Sequence, residues 1–176
     1  MEVILIRHTS VDVPAGTCYG QTDVPLAPTF KDEAAVTKAA LESFGPVDAV
    51  WTSPLSRCVK LADYCGYPEA QRDDRLLEMN FGEWEMQRYD EIRDPRIEEW
   101  YADYLHMPVP GGESFEMQFK RVSHFLDELR QMPYNRVAVF AHGGVLVCAG
   151  VYAGLAKPED AFGALTPYGG LRKITI

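Results

Sequence analysis

The stretch VILIRHT, residues 3–9, decides the fold. Val3, Ile4, Leu5 and Ile6 follow one another with no polar residue between them, which predicts a strand buried on both faces. Such strands belong to parallel sheets with helices on either side, and ligands of those sheets bind beyond the carboxyl ends of the strands. Arg7 and His8 stand at that end here, a fixed positive charge beside an imidazole. The pair suits an anion.

Two later stretches repeat the design. DAVWTS at 48–53 predicts a second buried strand, and Ser53-Pro54 after it reads as an N-cap and first helical residue, which places Arg57 in the first turn of a helix. RVAVFAHGG at 136–144 delivers His142 at the end of another apolar run. The glycines behind it let an amide approach a ligand, and the helix from about 145 to 154 points its N-terminus at the same place.

Between these lie a loop over 9–30 punctuated by Pro14, Gly16, Gly20, Pro25 and Pro28, and a helix over 32–44 whose spacing is carried by Ala35, Val36, Ala39, Ala40 and Phe44. A short strand and turn are expected at 70–76, and a helix at 113–131 with Phe115, Phe119, Val122, Phe125, Leu126 and Leu129 on one face. GGLRKITI at 169–176 is the last strand. The charged and aromatic residues from 87 to 112 read as a helical insertion over the site, part of a covering segment at about 80–112. Strands alternating with helices predict an α/β fold, a three-layer α/β/α sandwich with a mostly parallel central sheet, in one domain spanning 1–176.

Lys and Arg number 17 against 26 Asp and Glu, a net charge of −9 that excludes a general nucleic-acid or anionic-membrane surface. Any anion site is therefore a local concentration of Arg and His. Cys18, Cys58, Cys65 and Cys148 lack paired spacing and read as free, buried thiols. Four apolar residues before Arg7 fall far short of a secretory leader or a membrane span, and both facts predict a reducing cytoplasm.

A β-α-β order brings Arg7 with His8, Arg57 and His142 to one sheet edge. Guanidinium forks match a phosphate, and a histidine can attack phosphorus or hold a phosphoryl oxygen. The amides of Gly20 and Gly143 would complete the cradle, with Tyr19 beside them as a substrate contact. Of Glu78 and Glu83, which flank aromatic and glycine residues in LLEMNFGEWEM at 76–86, Glu78 is the candidate acid for the leaving oxygen: a neighbouring phosphate dianion disfavours its charged form. His106 and His124 have no partner at ligand spacing, and the aromatics of 84–104 fit helix packing and substrate stacking equally well. No pair of metal ligands sits at a strand end, and the arginines would repel a cation, so neither a metal nor another cofactor is expected.

These residues resemble the histidine phosphatase superfamily, also called phosphoglycerate mutase-like. Its RHG signature is similar to Arg7-His8-Thr9, its SPL-x-R segment to SPLSR at 53–57, its general-acid segment to LLEMNFGEWE at 76–85, and its second-histidine segment to HGG at 142–144. The resemblance implies that His8 becomes phosphorylated, that Arg7, Arg57 and His142 hold the phosphoryl group, that Glu78 protonates the leaving group, and that no metal takes part. Within the superfamily, GTCYGQTDVPL at 16–26 and LEMNFGEWEM at 77–86 are most similar to the α-ribazole phosphatases of cobalamin assembly. Thr9-Ser10 in place of Gly-Glu and APTFKDEAA at 27–35 are departures that remove no catalytic group.

The expected function is thus a metal-independent phosphomonoesterase for a small phosphate ester such as α-ribazole 5′-phosphate. The alternatives are a phosphoglycerate mutase, a broad phosphatase for sugar phosphates or phosphohistidine proteins, and a phosphate-binding docking module without catalysis. Eight acidic residues and three arginines in 80–112 suit an aromatic nucleoside better than a small polyanion.

Overall fold

The computed structural model describes residues 1–176, apart from the side chains at 161, 162 and 164. The chain runs β1 (Glu2–Arg7), α1 (Phe30–Glu42), β2 (Ala49–Thr52), α2 (Ser56–Tyr64), β3 (Gln71–Arg72), α3 (Arg96–Ala102), α4 (Phe115–Leu129), β4 (Arg136–Ala141), α5 (Gly143–Tyr152) and β5 (Leu171–Thr175). The strands form one sheet in the order β3-β2-β4-β1-β5. All neighbours are parallel except β1 and β5.

Alternation along β1 explains the unbroken apolar run at its start. Val3 and Leu5 enter a core with Val137, Val139, Phe125, Leu126, Val145 and Leu146, under α4 and α5. Ile4 and Ile6 point the other way, to Ala138, Phe140, Leu41, Cys58 and Leu61, under α1 and α2. Each central strand therefore needs apolar side chains at every position. The result is the three-layer α/β/α sandwich that the sequence predicts.

Three local expectations are corrected. α1 buries Ala34, Thr37 and Leu41, a face rotated from the predicted one, and leaves Val36 72% exposed. Thr37 explains the choice: its hydroxyl donates to the Gly169 carbonyl at 2.8 Å, tying α1 to the chain before β5. Ser53 is not a helix cap; α2 starts at Ser56 with Leu55 as N-cap, and the Ser53 hydroxyl is engaged elsewhere. The segment over 87–112 is helical only in α3, and the rest is irregular chain. It encloses a small third core of Met79, Trp84, Ile92, Ile97 and Val109 with Cys18.

Arg7 and Ala141 end adjacent parallel strands in register, so His8 and His142, one residue on, emerge side by side. The His8 amide donates to the Ala141 carbonyl at 3.0 Å and locks this pairing. α5 begins immediately after His142.

Candidate active site

His8 is almost fully buried, and its Nδ1 lies 2.7 Å from the Thr9 carbonyl. A carbonyl only accepts, so Nδ1 carries the hydrogen and Nε2 keeps its lone pair. Burial, and then the charges of Arg57 and Arg7, lower the His8 pKa to about 3. The ring is a neutral base at ordinary pH.

His142 packs against it, edge to face, with ring centroids 5.2 Å apart. Its Nε2 is 2.7 Å from Ser53 Oγ, and its Nδ1 accepts from Arg57 Nε at 3.3 Å. Burial and the neighbouring Arg57 charge hold its pKa well below the usual histidine value. Arg57 is completely buried and also donates to the carbonyls of Gly20 at 2.5 Å and Thr22 at 2.9 Å. Three of its five N–H groups are thus committed to protein atoms, as a guanidinium shut away from water requires.

Arg7 donates to the Thr166 carbonyl at 2.6 Å and lies 4.1 Å from the Tyr168 ring centroid, while its buried Nε has no hydrogen-bond partner. That unmatched donor, beside a neutral imidazole, is where an anion would be welcomed. Gly143 is the residue that lets α5 come this close: a Cβ there would sit 3.2 Å from the Arg7 guanidinium carbon. The hydroxyls of Tyr168 and Tyr19 meet at 2.7 Å across the site, with Tyr19 5.4 Å above Arg57.

The loop bearing Tyr19 is hung on Glu85. The amides of Gly20, Gln21, Thr22 and Phe81 and the Thr22 hydroxyl all donate to this carboxylate. Burial pushes its pKa up, but these donors prevail and hold it below the ordinary value. The Gly20 amide is therefore not part of an anion cradle, as the sequence suggested; its carbonyl serves Arg57 instead.

Glu78 follows the 3₁₀ turn Asp74–Leu76. Its Oε1 accepts from the Met79 amide and from Gln118 Nε2, each at 2.9 Å, and its Oε2 from the Gly144 amide at 3.1 Å. Arg121 braces the segment: it donates to the carbonyls of Arg75, Leu77 and Glu78 and forks onto Glu113. Arg7, His8 and Glu78 border one cavity of about 520 Å³, whose remaining wall includes Phe81, Tyr89, Trp100 and Tyr104. Arg57 and His142 lie behind His8.

The predicted strand-end residues thus converge. The sequence offers Ser53 only as a helix cap and gives Glu85, Gln118 and Tyr168 no role of their own. Gln118 alone left a signal, a polar residue in the apolar phase of α4. Among the described residues no group of three or more His, Cys, Asp or Glu is placed to hold a metal ion, all four cysteines are free and buried, and no helix is long and apolar enough to cross a membrane.

Residues 3–175 match the profile of the histidine phosphatase superfamily (branch 1). The chain is 28% identical over 154 residues to the adenosylcobalamin/alpha-ribazole phosphatase of Escherichia coli K12, covering 83% of this chain and 75% of that one. It is 27% identical over 147 residues to phosphoserine phosphatase 1 of Hydrogenobacter thermophilus, covering 79% and 69%. The crystal structure of TTHB049 from Thermus thermophilus superposes with a TM-score of 0.79 at 28% identity, over 98% of this chain and 92% of that one. With the profile match spanning almost the whole length and the two strand-end histidines packed together, the chain belongs to the histidine phosphatase superfamily and is a phosphatase.

Proposed function

We propose that the protein is a metal-independent phosphomonoesterase that works through a phosphohistidine on His8, with α-ribazole 5′-phosphate as its substrate. The observation that carries the chemistry is the His8 tautomer: with Nδ1 tied to the Thr9 carbonyl, the Nε2 lone pair is free to attack, and burial keeps it unprotonated. In the first step an N–P bond forms at Nε2 as the bond from phosphorus to the ester oxygen breaks, and the Glu78 proton passes to that oxygen. In the second, water attacks phosphorus, the Glu78 carboxylate takes up the proton released, and His8 leaves neutral. Arg7, through its unmatched Nε, and the Arg57 guanidinium, held by His142 behind the nucleophile, offset the charge on the transferring group.

The substrate reading is supported by the cavity wall. Phe81, Tyr89, Trp100 and Tyr104 give the cavity an aromatic wall suited to an aromatic nucleoside, and Arg7 is the one arginine or lysine bordering the cavity among the described residues. A substrate with a second phosphate or a carboxylate would lack a partner there. The kinship with the Escherichia coli enzyme points the same way. Four buried free cysteines suit a reducing cytoplasm.

The test is a hydrolysis panel in EDTA: α-ribazole 5′-phosphate, phosphoserine, 3-phosphoglycerate, fructose bisphosphate and a phosphohistidine protein. The expected result is full activity with kcat/KM for the nucleotide at least about tenfold above the rest, the equivalent of one good aromatic contact. Equal rates would overturn the substrate assignment, and loss of rate restored by a divalent cation would overturn the metal-free chemistry.

A further inference from the structure

α4 carries Phe115, Val122 and Phe125 into the core, and between them, in the same phase, Gln118, which is completely buried. Its Nε2 donates to Glu78 Oε1 at 2.9 Å, while its own Oε1 is buried without a hydrogen-bond partner. A methionine would fill this position without stranding an oxygen. Buried acceptors without partners are rare because they forfeit the bonds water gave them, so packing alone does not account for an amide here. The amide lies flat against Gly144, where a Cβ would stand 2.8 Å from Oε1 and 2.9 Å from Nε2. Glu78 is thus held by two backbone amides of its surroundings and by one side chain reaching in from α4.

We infer that Gln118 is a positioning residue for proton transfer by Glu78, an inference that rests on the reading of Glu78 as the proton donor. When the Glu78 proton moves to the leaving oxygen, the carboxyl becomes a carboxylate. An N–H facing Oε1 binds that carboxylate more strongly than the acid it came from, so the Gln118 contact strengthens as the proton departs. With Oε1 held by two donors, Oε2 is the oxygen left to carry the proton, and the amide fixes its direction. In the second half-reaction the same contact holds the carboxylate that receives a proton from water.

Leaving groups separate this role from a structural one, because p-nitrophenolate departs without a proton and a primary alkoxide does not. The experiment compares kcat/KM for benzyl phosphate and p-nitrophenyl phosphate in wild type, Gln118→Met, Gln118→Asn and Glu78→Gln, with thermal unfolding of each. Methionine keeps the volume and removes the donor; asparagine keeps an amide that falls one methylene short, and stands in should the methionine variant not fold. The expected result is a loss with benzyl phosphate roughly ten- to hundredfold greater than with p-nitrophenyl phosphate, the size of one hydrogen bond to a charged group. Glu78→Gln is expected to show the same bias, larger. A bias in Glu78→Gln with none in the Gln118 variants, or an equal loss on both esters in those variants, overturns the role of Gln118. No bias in Glu78→Gln overturns the reading beneath it.

Discussion

Arg57 donates its Nε hydrogen to Nδ1 of His142 across 3.3 Å. A guanidinium cannot accept, so His142 is a neutral imidazole bearing its hydrogen on Nε2, toward Ser53. Two buried neutral histidines then stand beside two arginines, and protonating either would bury another positive charge among them.

Acid should therefore destabilise the fold early. The unfolded chain takes up a proton on each of these histidines as pH falls through about 6.5, whereas folded His8 does so only near pH 3 and His142 also resists. Stability from this source is complete above pH 6.5 and is lost on the way down, with a slope of about 1.4 kcal/mol per pH unit for each histidine. Urea unfolding between pH 7.5 and 5, above the range where most carboxylates titrate, is the measurement; a flat midpoint would show that the two rings are protonated in the folded protein.

His8→Ala should lower turnover by at least about four orders of magnitude, the loss typical of a removed nucleophile, with the thermal midpoint within a few degrees of wild type. Mass spectrometry of protein quenched during turnover should find the phosphoryl group on the peptide bearing residue 8 in wild type and nowhere in the variant. A label on His142 instead would reverse the two roles.

Gly144→Ala should displace the Glu78 carboxyl while leaving residue 78 itself unchanged. The new Cβ would lie 2.4 Å from Glu78 Oε1, so the carboxyl must move. A shift of that order costs about a hundredfold in kcat/KM for an alkyl phosphate and about 1–3 kcal/mol in stability. Wild-type kinetics would show that the Glu78 position is not critical.

Arg121→Met should cost about 3 kcal/mol, because it strands the carbonyls of Arg75, Leu77 and Glu78 together with the Glu113 carboxylate. A change in the urea midpoint worth less than about 0.5 kcal/mol would mean that water replaces the arginine freely.

What could be read from residues alone follows from which physical signals are local. β1 and β4 are legible because strands buried on both faces must be apolar throughout, and Arg7, His8 and His142 are legible because they interrupt such runs. α1 misleads because its alanines and Val36 make the exposed side as apolar as the buried one, while Thr37 is drawn inward by a carbonyl 132 residues away. Ser53-Pro54 carries the local chemistry of a helix cap, yet the Ser53 hydroxyl goes to a histidine 89 positions on. Glu85 is indistinguishable in sequence from Glu78 and Glu83; what sets it apart is a loop from residues 20–22 folded onto it.

β1 finds its neighbours at the far end of the polypeptide: Glu2 pairs with Arg136 on one side and with Thr175 on the other. On the ribosome β1 must wait for the more than 130 residues up to β4 before it has an edge to join, a high-contact-order topology of the kind that folds slowly. His8 leaves the ribosome long before β4 and is among the last residues to be seated, so a nascent chain lacking β4 holds an unpaired apolar strand and no facing pair of histidines.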